Sequence, residues 1–364
     1  RLLNDVPLMA RLCGTFPKLV QALQSNWLSG TLLRKATRIH PDRQLPVFPK
    51  DNFFRWAAER GLDKPQEGEH RVAYFAGCTA GYLFPSIARS VVEILQHNGA
   101  TVYVPPQECC GMPFLVEGDR KRTLKLAQTN MERLLETLKD GNELVYSCPT
   151  CGFFLKSLLK ERAYYSETYQ KSVDAKEGQI KVPAPEKGEN QFWTLHKVMY
   201  RNILKDDGYF SGLDPLARVA LSDSLHDFGL YLNRLQAEGR LKTDFKPISE
   251  RMVYFAPCHL REKKIGRPYL DLLKHIPQLD IGEVGSDYDC CGMGGIFGFK
   301  EHFHQKSLDL GGPLMDKIRA KNPQAIVTDC MSCRLQFNHC LPYPVFHPVE
   351  VLARAYGVAG EKGD

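Results

Sequence analysis

The stretch VAYFAGC at residues 72–78 returns as MVYFAPC at 252–258. Two further stretches return in the same register: CCGMP at 109–113 becomes CCGMG at 290–294, and VYSCPTC at 145–151 becomes VTDCMSC at 327–333. The cysteines of the first set are Cys78, Cys109, Cys110, Cys148 and Cys151; those of the second are Cys258, Cys290, Cys291, Cys330 and Cys333. Matching members lie 180, 181, 181, 182 and 182 residues apart. A register kept across five cysteines and their flanks identifies a duplicated domain.

Working outward from these motifs, each copy reads as strands alternating with helices. A β-rich apolar run, Val72 to Ala76 or Val253 to Ala256, ends at the first cysteine. Helical spacing follows over Ile87 to His97 and Tyr269 to His275. A second strand, TVYVP (101–105) or LDIGEV (279–284), runs into the C-C-G turn. Another helix, Arg122 to Lys139 or His302 to Lys321, precedes a third strand, ELVYS (143–147) or AIVTD (325–329), which ends at C-x-x-C. Each half closes with a polar turn and an amphipathic helix, SDSLHDFGLYLNRL (222–235) and FHPVEVLARAYG (346–357). This alternation predicts an α/β fold of two tandem homologous domains, each a small parallel sheet flanked by helices. Ligands of such sheets sit beyond the carboxyl ends of the strands, where all ten cysteines fall.

The expected divisions are a mostly helical N-terminal extension (1–69), a first domain (70–240) and a second domain (250–358). The region 161–215 has no counterpart in the second half and reads as an insertion. Within it, SVDAKEGQIKVPAPEKGEN (172–190) reads as an exposed loop, with helices resuming near Trp193 to Leu204. In the extension, Pro46, Pro49, Phe53, Phe54 and Trp56 suggest a segment that packs on the first domain. Val6 to Arg34 reads as partly helical, for packing, partner docking or a membrane surface.

The 364 residues are 43% hydrophobic and 25% charged, the balance of a globular protein. A net charge of +6 without a basic stripe argues against a nucleic-acid partner. No uncharged apolar run approaches the ~20 residues of a membrane-spanning helix. Ten of the twelve cysteines are clustered, with Cys13 and Cys340 apart. Clustering of this kind points to metal or redox chemistry in a reducing compartment rather than to disulfides. The expected location is the cytoplasm, with peripheral attachment to the inner membrane face as a variant.

Iron–sulfur clusters are held by thiolates, usually four each. Five per set, two of them adjacent, is awkward for one tetrahedral ion and suits a larger, irregular cluster. A zinc site using four of the five is the alternative, and a catalytic dithiol at Cys148/Cys151 or Cys330/Cys333 is another. Gly111 and Gly292 would let the chain turn beside a cluster. His259 is a candidate ligand or hydrogen-bond partner. Arg261, Lys263, Lys264 and Arg267 either offset charge, dock an acidic partner or form a solvated face. The GMGGIFGF stretch (292–299) lacks phosphate-loop spacing and reads as pocket lining.

The spacing C-x30-C-C-x37-C-x-x-C, repeated as C-x31-C-C-x38-C-x-x-C, resembles the duplicated CCG domain over about 71–357. That domain occurs in the B component of heterodisulfide reductase, in the C component of anaerobic glycerol-3-phosphate dehydrogenase, and in iron–sulfur subunits of glycolate and lactate oxidation systems. Residues 26–56 resemble the region ahead of the first CCG domain in the second of these, where a ferredoxin-like domain lies upstream. The resemblance implies two noncubane [4Fe-4S] clusters ligated by all ten cysteines, with zinc in place of the first as the alternative. It implies an electron-transfer subunit placed between a flavoprotein or ferredoxin-type donor and a quinone, carrier or disulfide acceptor. A heterodisulfide-reductase-like catalytic subunit and a zinc-stabilised scaffold are the competing readings.

Overall fold

The apolar runs that end at the cysteine motifs form two sheets of the same topology. The structure is a computed structural model, and it describes residues 5–14, 27–46, 49–188, 191–200 and 202–358. Its strands are β1 (Arg71–Phe75), β2 (Thr101–Tyr103), β3 (Glu143–Tyr146), β4 (Gln179–Pro183), β5 (Phe192–His196), β6 (Leu225–Asp227), β7 (Arg251–Phe255), β8 (Asp280–Glu283), β9 (Ala325–Thr328) and β10 (Val345–Phe346). The first sheet has the order β2-β1-β3-β6 and the second β8-β7-β9-β10, all neighbours parallel. Register follows the repeat: Ala73 pairs with Leu144, and Val253 with Ile326.

Central strands of a parallel sheet are covered on both faces and therefore read as continuous apolar runs. In β1 and β7, four of the five residues are buried. Each large side chain buried there contributes about 1.5–3 kcal/mol. After β1 the chain crosses to β2 on one side and returns to β3 on the other, so β1 and β3 flank a switch point, as do β7 and β9.

The two halves clasp each other reciprocally. Helix Pro85–His97 of the first packs on Pro348–Tyr356 of the second, and Pro268–Leu273 of the second packs on Phe228–Ala237 of the first. One apolar core therefore runs through both, from Val91 and Tyr231 to Tyr269 and Leu352.

Three details differ from the sequence reading. The stretch expected as a loop holds an antiparallel hairpin, β4 with β5; Trp193 lies in its second strand, and helix resumes at Lys197–Tyr200. Only Ile180 of β4 is fully buried, so the hairpin lacks the strong alternation that marks a strand. The polar turns before the closing helices contain the fourth strands β6 and β10, three and two residues long and too short to show a period. Finally, the extension divides its packing. Phe53 lies edge-on to Tyr74 of the first half, 5.8 Å away. Ile39, by contrast, bridges Lys300 of the second half, and His40 N–H donates to Phe299 O at 3.0 Å. Among the described residues no helix is long and apolar enough to cross a membrane.

Candidate cofactor-binding cysteine sites

Every cysteine of the two sets follows the carboxyl end of a strand. Cys78 lies in helix Gly77–Tyr82 after β1, Cys109 and Cys110 in the turn after β2, and Cys148 and Cys151 at helix Pro149–Gly152 after β3. In the second half, Cys258 opens helix Cys258–Glu262 after β7, Cys290 and Cys291 follow β8, and Cys330 and Cys333 start helix Met331–Cys340 after β9. The backbone of both C-C-G turns passes through a left-handed glycine, Gly111 at φ 107° and Gly292 at φ 83°. A Cβ on Gly292 would stand 2.1 Å from Ser307 O, so any side chain there displaces the following helix.

The first five thiols are all buried, between 2% and 6% exposed. They form a string. Cys78 Sγ and Cys109 Sγ are 3.4 Å apart, Cys109 meets Cys110, Cys110 meets Cys151, and Cys151 meets Cys148. Hydrogen bonds from Cys109 and Cys151, aided by the Met112 amide, pull Cys110 down to about 6. Its neighbours move the other way: Cys78, Cys109 and Cys151 are pushed well up, chiefly because each serves a neighbouring thiol as donor.

The second set repeats the string as Cys290–Cys291–Cys333–Cys330. Here Cys291 is pulled down by Cys290 and Cys333, Cys330 is pulled down by Cys333, and Cys290 accepts from the Gly292 amide at 3.3 Å. Cys291, Cys330 and Cys333 are buried, Cys290 is half-buried and Cys258 is exposed. The Cys258 thiol is still pushed up to about 11, first by desolvation and then by Cys330 and Cys291.

The sets face each other across the C-x-x-C loop of the first. Thr150, between Cys148 and Cys151, shares a hydrogen bond with His259 Nδ1 at 2.9 Å and lies 4.0 Å from Cys330 Sγ. Phe153 stacks on His259 with centroids 5.1 Å apart. His259 thus acts as a hydrogen-bonding neighbour. The basic run that follows it is mostly used inside the fold. Lys263 makes a buried pair with Asp227 at 2.8 Å and donates to Tyr146 Oη, Arg261 donates to the carbonyls of Ala256 and Asp289, and Arg267 pairs with Glu283 and Asp287. Lys264 is exposed and the Arg267 pairs lie at the surface, so these two fit the solvated face.

Sequence reasoning did not find Thr150, Asp227 or Arg43, because each matters through a partner remote in the chain. The repeat carried a signal for Asp227, which stands at a helix start just as His347 does in the second half. In GMGGIFGF, Met293 and Phe299 pack in one cluster with Cys291, Cys330 and Cys333. All twelve cysteines are free thiols, with Cys13 and Cys340 half-buried outside the sets. A cavity of about 420 Å³ lined by Tyr146, Lys156, His226, Asp227, Arg234 and Lys263 contains none of the ten.

Which group fits this donor set follows from its chemistry. Among the described residues no three His, Cys, Asp or Glu side chains surround a single-ion position. The thiols lie in strings, with adjacent sulfurs pointing to successive neighbours. Five soft donors gathered at the strand ends of each sheet suit a polynuclear iron–sulfide unit, whose positive irons would let every thiol ionise.

The family model for the CCG cysteine-rich domain matches twice, over residues 72–156 and 252–338. The chain carries a tandem pair of CCG domains. The C component of anaerobic glycerol-3-phosphate dehydrogenase from Escherichia coli K12 is 26% identical over 355 residues, covering 97% of this chain and 76% of that protein. The B component of fumarate reductase (CoM/CoB) from Methanothermobacter marburgensis is 24% identical over 284 residues, 78% of this chain and 44% of its own length. Lactate utilization protein A 2 of Bacillus cereus E33L is 24% identical over 292 residues, 78% and 98% respectively.

Proposed function

We propose that this protein is the iron–sulfur subunit of a multi-subunit oxidoreductase. In this reading Cys78, Cys109, Cys110, Cys148 and Cys151 hold one noncubane [4Fe-4S] cluster, and Cys258, Cys290, Cys291, Cys330 and Cys333 hold another. The observation that carries it is the pair of five-cysteine sets, each at a sheet switch point, approaching each other at Thr150 and Cys330. Relatives that belong to dehydrogenases and reductases support the same class. When bound, the clusters supply one-electron carriers. The chain's own residues then have definite tasks. The cysteines ligate, the Met112 and Met293 amides favour negative sulfur, and Thr150 with His259 holds the facing loops in place.

Electrons would come from a flavoprotein or ferredoxin-type partner and leave to a quinone, a carrier or a disulfide. The exposed edge at Cys258 favours exchange with a partner or small acceptor at the second site. Peripheral membrane attachment through the extension, where Leu12 and Leu32 are exposed, belongs to the same reading.

The test is anaerobic purification with iron, acid-labile sulfide and zinc analysis, plus EPR of the oxidised protein. Two four-iron clusters require about eight irons per chain and a signal unlike that of a cubane ferredoxin. Stoichiometric zinc with fewer than about two irons per chain would sink the proposal in favour of the scaffold.

A further inference from the structure

Arg43 comes from the N-terminal extension, yet its side chain is buried in the second half with no exposed surface. Its Nη1 donates to Gln336 Oε1 at 2.7 Å, Nη2 is directed at Met293 Sδ at 2.9 Å, and the guanidinium lies 4.9 Å from the Phe299 ring centroid. Nε has no partner. None of these groups carries a negative charge. Among the described residues no carboxylate pairs with Arg43. A cation taken out of water without a countercharge is strongly unfavourable.

Burial holds the Arg43 guanidinium below its usual range, and only the thiols of Cys340 and Cys291 oppose that. Burial pushes the Cys340 thiol up, which leaves it neutral near pH 7. Cys291 sits two residues before Met293, the residue that Arg43 Nη2 reaches, and packs in the same cluster. The segment leading into Arg43 is fastened to the second half. Ile39 bridges Lys300, Glu301 N–H donates to Arg38 O at 3.0 Å, and His40 stacks on His304 with centroids 4.0 Å apart. The guanidinium is thus held against Met293 and Phe299, which pack in one cluster with Cys291, Cys330 and Cys333.

The first set has no such arrangement at the matching positions. The repeat places Phe154 where the second half has Gln336, and Phe154 is buried against Gly111 and Phe210. An aromatic ring there offers no acceptor for a guanidinium.

We propose that Arg43 is a positioning residue, the built-in countercharge of the second iron–sulfur site, and that it makes this site easier to reduce than the first. The inference rests on the cluster reading above. A one-electron reduction adds one negative charge without breaking a bond or moving a proton, and a fixed neighbouring cation favours that added charge. An electron delivered to the first site by the flavoprotein or ferredoxin-type partner is then drawn to the second. The solvent-facing site, with Cys258 exposed, becomes the point of exit.

The experiment is an EPR-monitored redox titration of the full chain, anaerobically purified, as wild type, Arg43→Met and Arg43→Lys, with iron and sulfide measured on each. Arg43→Met is expected to shift the reduction equilibrium of one cluster toward the oxidised form by about tenfold, which is about 59 mV for a one-electron couple. The other midpoint stays in place, and Arg43→Lys, which keeps the charge, moves far less. Loss of half the iron from Arg43→Met with retention in Arg43→Lys supports the countercharge equally. An unmoved midpoint in a fully loaded Arg43→Met chain overturns the role of Arg43 alone. Equal shifts or equal iron loss in both variants would mean packing only and also overturn it. A wild-type chain without iron and sulfide overturns the cluster reading itself, and this proposal with it.

Discussion

The two cysteine sets share topology, register and cysteine count, yet one is sealed and the other is open. Cys78 is 6% exposed, whereas its counterpart Cys258 is exposed. The cause lies outside the repeat. Helices Val6–Gly14 and Phe53–Glu59 of the extension pack on Gly77–Tyr82, the helix that carries Cys78. Helix Cys258–Glu262 packs instead toward the C-x-x-C loop of the first half, leaving its leading cysteine uncovered. Duplication thus made two equal sites, and a segment added once made them unequal. The same extension places Arg43 beside the second set, so enclosure goes to one site and charge to the other.

The sharpest way to break the comparison is acid. The closing helices are capped at matched positions by Asp227 and His347. Burial holds the imidazole of His347 down at about 3. An unfolded histidine takes up its proton near pH 6.5, so below that pH the unfolded chain binds more protons than the folded one. Stability from this group is complete above pH 6.5 and is lost progressively as pH falls toward about 3. The linkage amounts to about 3–5 kcal/mol. His347→Asn keeps a capping side chain and should flatten this acid limb in denaturant melts of the purified chain. An unchanged limb would show that other groups govern acid unfolding.

A smaller difference is expected at two matched tyrosines. Tyr74 Oη shares a hydrogen bond with Ser147 Oγ at 2.8 Å, and Tyr254 Oη donates to Asp329 Oδ2 at 2.6 Å. Asp329 Oδ1 is buried without a partner, and burial pushes the carboxyl up to about 8. Removing the Tyr254 hydroxyl leaves an acidic group still less satisfied. Tyr254→Phe should therefore cost about 1.5–3 kcal/mol and Tyr74→Phe about 0.5–1.5. Equal losses in urea melts would remove this asymmetry.

The smallest effect concerns access. In metal-free chain, a maleimide should label Cys258 at least about tenfold faster than any cysteine of the first set, because the latter react only after local opening. The rate at Cys258 should climb with pH up to about 11, since only the thiolate attacks. Peptide mass spectrometry after timed quenching measures both. Comparable labelling of Cys78 would mean that the extension does not seal the first site.

Much of this was legible because a repeat is visible without coordinates. The offset of 180–182 residues identified the duplication, the apolar runs located β1, β3, β7 and β9, and the glycine after each C-C pair marked a turn that the backbone then adopts. The hairpin of β4 and β5 escaped because one buried isoleucine cannot set a period. Strands β6 and β10 escaped because a sheet edge needs only two or three paired residues.

The sequence by itself determined the two sets of five thiols and their place at strand ends, because local periodicity and spacing are properties of the chain. Only the tertiary structure decided that the sets approach at Thr150, that Lys263 crosses to Asp227, and that Arg43 ends against Met293 and Gln336 rather than in solvent. These are contacts between residues remote in sequence. They depend on how two copies of one domain dock and on where a single unrepeated segment is laid across them.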